Sequence, residues 1–451
     1  MTRRILMATY HFPPSTVAAS FRPLRLAKYL PELDYRVWVV SATAGSYPEG
    51  RVDSNLAGEV PPSVRVTRIP NLNPLLWYER CASPMKPSAE ASGLSVSSKC
   101  HHERGDQPAR CFALLRTTLA EIAKFPDVDA PWAAASLLPA LYLVLRHRID
   151  VIYSSAPPFG AHLLGMALKR LTGRPWIAHY GNPWTANPSI HWSSARLKSG
   201  CERLDRVILR RADAVLVLDE ILAGCIADLG RTDRVYVHPN GFDSAHFAPT
   251  QMPSGRFTIT YAGSLYNMHN PRVIYDALSL VGRANAAARA DMRVVFAGPP
   301  QDDPLREGAP ADVEFLGPLA HSEIARRLND SHVLLEFLTA SADQKFTIPC
   351  KLYEYMAARR PILAVTPEGP LAREVRRLDL GKAVPCDDPA AVARAILDFY
   401  CAYKAGRLRA PNSPAVDQYS APNQAREFAR VVEEVCAAAA REPSGVPGRL
   451  R

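Results

Sequence analysis

Nine short apolar runs punctuate this chain: Ile5–Ala8, Val37–Val40, Val151–Tyr153, Trp176–Ala178, Val215–Leu218, Thr258–Ala262, Val294–Ala297, Val333–Phe337 and Pro361–Val365, with helix-period stretches between them. A strand followed by a helix rejoins its sheet by a crossover, so the alternation predicts α/β architecture, with parallel sheets covered by helices on both faces. At 451 residues the chain exceeds what one hydrophobic core holds. The rhythm breaks at Pro239-Asn240-Gly241, passes the loop-like Pro249 to Gly255, and restarts at Phe257. We therefore expect an N-terminal domain over 1–240, a C-terminal domain over 255–410 and a tail over 411–451. In the tail Phe428, Val431, Val432 and Val435 recur at helical spacing after Pro422, which predicts a helix whose apolar stripe must dock. Residues 81–110, rich in Ser, Pro, His and charge, read as a mobile surface insertion.

The formal charge of +10 is unevenly placed. Residues 1–240 hold 29 Lys and Arg against 20 Asp and Glu, a net of +9, whereas 241–451 hold 25 against 24, a net of +1. This asymmetry reads either as a solvated basic surface or as a face for an anionic partner, an acidic membrane surface above all. Arg203, Arg206 and Arg210 line one helical face between Glu202 and Ala212 and suit acidic head groups. Nucleic acid is not among the expected partners. The longest apolar run, Ala133 to Leu145, contains Pro139 and is well short of the roughly 20 residues a membrane span requires. Met1-Thr2-Arg3-Arg4 leads directly into the first strand, so a cytoplasmic protein is expected, peripheral on the inner face of the membrane if it docks there. Nine cysteines without a Cys-x-x-Cys pair fit reduced thiols, and Cys81, Cys100, His101, His102 and Cys111 match no common zinc spacing. No metal is expected.

Several segments carry polar groups where a parallel sheet can use them. After the first strand, small residues run to Ser20 and Phe21-Arg22-Pro23 opens a helix, which puts Arg22 at an anion-friendly start without any Gly-x-Gly-x-x-Gly fingerprint. Asp150-Val151-Ile152-Tyr153-Ser154-Ser155-Ala156-Pro157-Pro158 and Pro175-Trp176-Ile177-Ala178-His179-Tyr180-Gly181-Asn182-Pro183-Trp184 end strands in polar turns, the place where open α/β sheets bind ligands. Further on stand His238-Pro239-Asn240-Gly241-Phe242-Asp243 with Phe247, Tyr261-Ala262-Gly263-Ser264-Leu265, Phe296-Ala297-Gly298, Val313-Glu314-Phe315-Leu316-Gly317, and the run from Lys351 to Ile362. In this order and spacing the segments resemble family-4-like glycosyltransferases of the GT-B fold, particularly bacterial surface-polysaccharide members. The resemblance implies two Rossmann-like domains facing across a cleft, a last helix that crosses back, and a donor nucleotide on the C-terminal domain. It also implies transfer of a sugar from a nucleotide-sugar donor to a glycan or lipid-linked acceptor, with retention and without metal or cofactor. No Asp-x-Asp pair falls in the donor-side segments.

Lys351 and Glu354 stand three residues apart, on one face of a helix that follows Pro349. An ammonium beside a helix N-terminus suits a diphosphate, and a carboxylate one turn on can accept from ribose hydroxyls. A surface Lys–Glu pair is the alternative. Gly263 and Ser264 complete the donor-side set by resemblance, and Glu354 matches the second glutamate of the family's Glu-x7-Glu pair. Two departures stand out: Phe346 occupies the position of the first glutamate, and Ser264 that of the usual Arg. Lys351 or Lys345 can supply the missing charge. On the acceptor side Gly181-Asn182 replaces the Arg-Asp common in close relatives. His179, as a neutral imidazole, is the candidate for contacting the sugar or the acceptor hydroxyl, with Asn182 beside it; a histidine satisfied by backbone is the competing reading. A nucleotide-sugar epimerase and a noncatalytic sugar-binding protein of the same fold remain open alternatives.

Overall fold

The computed structural model describes residues 2–47, 51–73, 125–187, 190, 192–247, 251–263, 265, 271–298, 304–340 and 348–441. The segment 81–110, its Cys and His residues and Cys111 lie outside the described residues, as do Ser264, Lys345 and Phe346. The chain divides into two compact units. One takes the residues up to Pro239 together with those from Gln424, and the other spans Asn240–Asn423.

The first unit is built on a seven-stranded sheet of β1 (Arg3–Thr9), β2 (Tyr35–Ala42), β3 (Arg65–Ile69), β4 (Val151–Ala156), β5 (Trp176–Tyr180), β6 (Ala214–Val217) and β7 (Val235–Val237). The order is β3-β2-β1-β4-β5-β6-β7, and every pair is parallel. Its helices are α1 (Phe21–Tyr29), α2 (Ser54–Ala57), α3 (Ala130–Arg146), α4 (Gly160–Thr172), α5 (Ala195–Arg211) and α6 (Glu220–Asp228). Ser194 and Asp219 start α5 and α6 by accepting from Leu197 N–H and Leu222 N–H, each satisfying one otherwise orphaned first-turn donor. α3 runs on through Pro139 and leaves Leu138, Tyr142 and Leu145 at least 63% exposed. Among the described residues no helix is long and apolar enough to cross a membrane.

The second unit repeats the plan with β8 (Phe257–Ala262), β9 (Met292–Ala297), β10 (Val313–Gly317), β11 (Val333–Phe337), β12 (Ile362–Val365) and β13 (Gly381–Val384). These run parallel in the order β10-β9-β8-β11-β12-β13, alternating with α7 (Arg272–Ala284), α8 (Ala286–Asp291), α9 (His321–Asn329), α10 (Lys351–Ala358), α11 (Pro370–Arg377) and α12 (Pro389–Lys404). A core lies on each face of each sheet. The last helix, α13 (Ala421–Arg441), lays Phe428, Val431, Val432 and Val435 onto Ile5, Met7, Tyr153 and Ile177 of the first sheet. Burial of such side chains contributes about 1.5–3 kcal/mol each, which makes α13 part of the first unit's core.

Candidate functional site

Both sheets reverse strand order at one place, β1/β4 in the first and β8/β11 in the second. Past the carboxyl ends of the strands such a reversal leaves a crevice where ligands bind. The sequence-predicted residues are best located from these two points.

In the first unit the parallel register sets Ser155 of β4 beside His179 of β5, and Ser155 Oγ lies 3.0 Å from His179 Nδ1. His179 is only 4% exposed and stacks on Tyr153, with its Nε2 meeting no hydrogen-bond partner among the described residues. Burial, then the Arg22 guanidinium and His238, push its pKa well below the ordinary 6.5, so the imidazole is neutral. Arg22, second residue of α1, is itself buried and donates to His238 Nδ1 and, at 2.9 Å, to the His238 carbonyl. His238 Nε2 faces the Gln424 carbonyl at 2.9 Å, and a carbonyl only accepts, so the ring proton sits on Nε2. The helix-start arginine therefore points inward, where its charge acts on His179 and Tyr153. Asn182 is exposed in the turn after Gly181, whose N–H donates to the Ala156 carbonyl. A Cβ at position 181 would come within 2.9 Å of that carbonyl oxygen, so glycine lets the turn close on β4. The unit also contains Asp127-Val128-Asp129, an Asp-x-Asp by spelling. Asp127 accepts the Gly160 amide at the start of α4 and the Asp129 amide before α3, while Asp129 accepts from Asn71 Nδ2, so both carboxylates are engaged by protein groups.

In the second unit β8 and β11 pair only through Val333–Ile259 and Leu334–Thr260. Beyond that the hydroxyl of Tyr355 on α10 takes over, accepting the Ala262 amide at 2.9 Å and donating to the Leu335 carbonyl at 3.1 Å. This fixes the start of α10 against the reversal point. Lys351, its first residue, extends across Gly263 and donates to the Tyr261 hydroxyl at 2.6 Å. Gly263 has φ +128, and a Cβ there would lie 2.8 Å from Lys351 Cδ, so glycine is required both by the backbone and by the lysine above it. Lys351 Nζ stands 3.4 Å from Oε1 of Glu336, a carboxylate with no exposed surface whose counter-charge among the described residues is this ammonium. Burial pushes the Glu336 carboxyl up, and the ammonium pulls it part of the way back. Glu354, one turn into α10, is partly exposed, with Oε1 4.0 Å from His321 Nδ1. Lys351 and Glu354 thus share a helix face, but the ion partner of Lys351 is Glu336.

Two family models match in tandem: a glycosyl transferase 4-like domain over residues 19–241 and glycosyl transferases group 1 over 256–401. The chain belongs to the family-4-like glycosyltransferases. Solved structures agree on the fold. Anabaena HepE in complex with UDP and glucose superposes with a TM-score of 0.60 at 16% identity, covering 96% of this chain and 100% of its own. Sucrose-phosphate synthase from Thermosynechococcus elongatus gives 0.57 at 14%, over 97% and 100%. A putative UDP-N-acetylglucosamine 2-epimerase from Listeria monocytogenes gives 0.53 at 12%, over 96% of each chain. Among curated proteins none matches the sequence. For a glycosyltransferase of this family, sequence reasoning had not singled out Ser155, Tyr153, His238, Tyr261 or Glu336. Tyr153, Ser155, His238 and Tyr261 stand inside the quoted motif segments without being distinguished there, and Glu336 has a signal of its own, a lone carboxylate inside the apolar run Val333–Phe337.

Proposed function

We propose that this glycosyltransferase binds a nucleotide-sugar donor on its second unit and transfers the sugar, with retention and without a metal, to an acceptor held by the first. The observation that carries this reading is the lysine at the second reversal point: Lys351 lies over Gly263 at the start of α10, with Glu354 partly exposed one turn on. A leaving nucleoside diphosphate needs its developing charge met by a fixed cation, and ribose hydroxyls need an acceptor. Lys351 serves the first, Glu354 the second, and Gly263 lies beneath the lysine, with Ser264 joining the donor-side set by resemblance alone. UDP-bound HepE, which shares the fold, supports a nucleoside diphosphate as the leaving group. On the acceptor side the unpartnered Nε2 of a neutral His179 suits a hydroxyl of the sugar or acceptor, with Asn182 nearby in sequence.

The acceptor proposed is lipid-linked or a growing bacterial surface glycan, reached from the cytoplasmic face of the membrane. The exposed Leu138, Tyr142 and Leu145 of α3 and the exposed Arg203, Arg206 and Arg210 of α5 support peripheral docking on an acidic bilayer. Thermal shift against a panel of nucleotide sugars, followed by product analysis with and without acceptor, tests the reading. Stabilisation by one donor and acceptor-dependent transfer are expected. Conversion of free donor would make the protein an epimerase, and binding without turnover a noncatalytic one. Flotation with neutral and anionic vesicles at low and high salt tests the docking: equal recovery on both lipids removes it.

A further inference from the structure

Glu336 is the one feature of the second reversal point that the transfer reaction does not require. A carboxylate with no exposed surface is costly, and its counter-charge among the described residues is a lysine already needed elsewhere. Among the described residues, Lys351 and Tyr355 of α10 act on it and Lys351 is the cation; Tyr261 of β8 enters through Lys351, whose ammonium donates to its hydroxyl. Lys351 Nζ is 3.4 Å from Oε1, a long contact, and donates at the shorter distance of 2.6 Å to the Tyr261 hydroxyl. With the side chain one-fifth exposed, Nζ has the carboxylate on its buried side.

We propose that Glu336 is a positioning residue, the resident counter-ion of Lys351, from which an arriving diphosphate takes the lysine while the carboxyl accepts a proton from solvent. The inference rests on the reading of this unit as the donor domain. A diphosphate offers Lys351 two or more negative charges at hydrogen-bond distance, against a single carboxylate oxygen at 3.4 Å. Once the ammonium turns outward, an ionised Glu336 is left buried without its counter-charge, and protonation is the route that leaves no buried charge behind. The direction already imposed by burial favours the same outcome. Binding of the leaving group is thereby tied to pH by a residue that does not touch it.

Calorimetry of the full chain with UDP, GDP and ADP, between pH 6 and 9 and in two buffers of different protonation enthalpy, reads proton uptake directly. We expect uptake approaching one proton for the nucleoside diphosphate that binds, with Kd weakening by up to about tenfold per pH unit above the carboxyl's titration. The parent nucleoside should show neither effect. E336Q removes the uptake and binds more tightly than the native chain at high pH, and subtracting it cancels the nucleotide's own phosphate titration. Should E336Q fail to fold, the two-buffer measurement on the native protein decides alone. Strong binding that is indifferent to pH overturns the role of Glu336. Absence of binding by every nucleoside diphosphate overturns the donor-domain reading, and this role with it.

Discussion

At the first reversal point the polar groups are neutral imidazoles, His179 and His238, enclosed around an arginine that is turned inward. At the second, a lysine and a buried carboxylate face one another, with the lysine partly open to solvent. The same strand-order reversal thus carries two kinds of electrostatics. A neutral, preorganised ring suits a hydroxyl that stays uncharged, whereas a mobile ammonium suits a phosphate whose charge grows as it leaves. The contrast is what the proposed division into an acceptor side and a donor side rests on, and that proposal is open to attack from either side.

The largest effect should come from K351M, which leaves Glu336 without its cation. Stability at neutral pH is expected to fall by about 3–5 kcal/mol, less in acid where the carboxyl takes a proton, and diphosphate binding should vanish. Denaturant unfolding of K351M/E336Q should recover most of the stability and none of the binding; recovery of both would place the phosphate elsewhere. E354A is expected to weaken nucleoside and nucleoside diphosphate alike by about 1.5–3 kcal/mol with an unchanged melting temperature. If calorimetry shows no change, Glu354 is a surface residue.

The first unit is sharpened by pH. Burial lowers His162 to about 3 and places His179 well below 6.5. Each ring is neutral when folded, while an unfolded chain protonates it below pH 6.5, so the unfolded state gains protons as pH falls. The stability these rings contribute is full above 6.5 and, for His162, is lost progressively down to about pH 3. The loss is about 1.4 kcal/mol per pH unit for one ring. H162Q should flatten the acid arm of the stability curve by that slope, and ring NMR should show His179 silent through pH 6.5. A normal titration of His179 would end its assignment as a neutral contact. The smallest effect concerns the surface: replacing Arg203, Arg206 or Arg210 with serine should cost about 1 kcal/mol each in binding to acidic vesicles at low salt.

Legibility followed burial. The nine strands read from the sequence are the interior strands of the two sheets, covered on both faces and so written as predominantly apolar runs. β3, β7, β10 and β13 were not read as strands, though β10 appeared within a family motif, and all four are sheet edges. Their residues are mostly half-exposed, as in Arg65–Ile69 and Gly381–Val384, so polar and apolar letters mix and the run signal disappears. The candidate site divides in a similar way. Gly263, Lys351 and His179 were found from motifs, but the pairing of Lys351 with Glu336 rather than Glu354 depends on which strands flank β8, and spacing along the chain does not reveal that. The inward turn of Arg22 likewise depends on His238, 216 residues away.

The docking of α13 on the first sheet makes the second unit, in topological terms, an insertion within the first. Cutting the chain after Pro239 would therefore not release a finished module, because the face of β1 and β4 would lose Phe428, Val431, Val432 and Val435 and present bare apolar surface to water. The intact fragment is obtained instead by excision and splicing. His238 and Gln424 already touch through Nε2 and a carbonyl oxygen at 2.9 Å, so a linker of a few residues suffices to join Pro239 to Gln424. Evolution faces the same geometry: the second unit can be exchanged for another as a cassette with adjacent ends, whereas the first cannot be replaced without also replacing the helix that closes it.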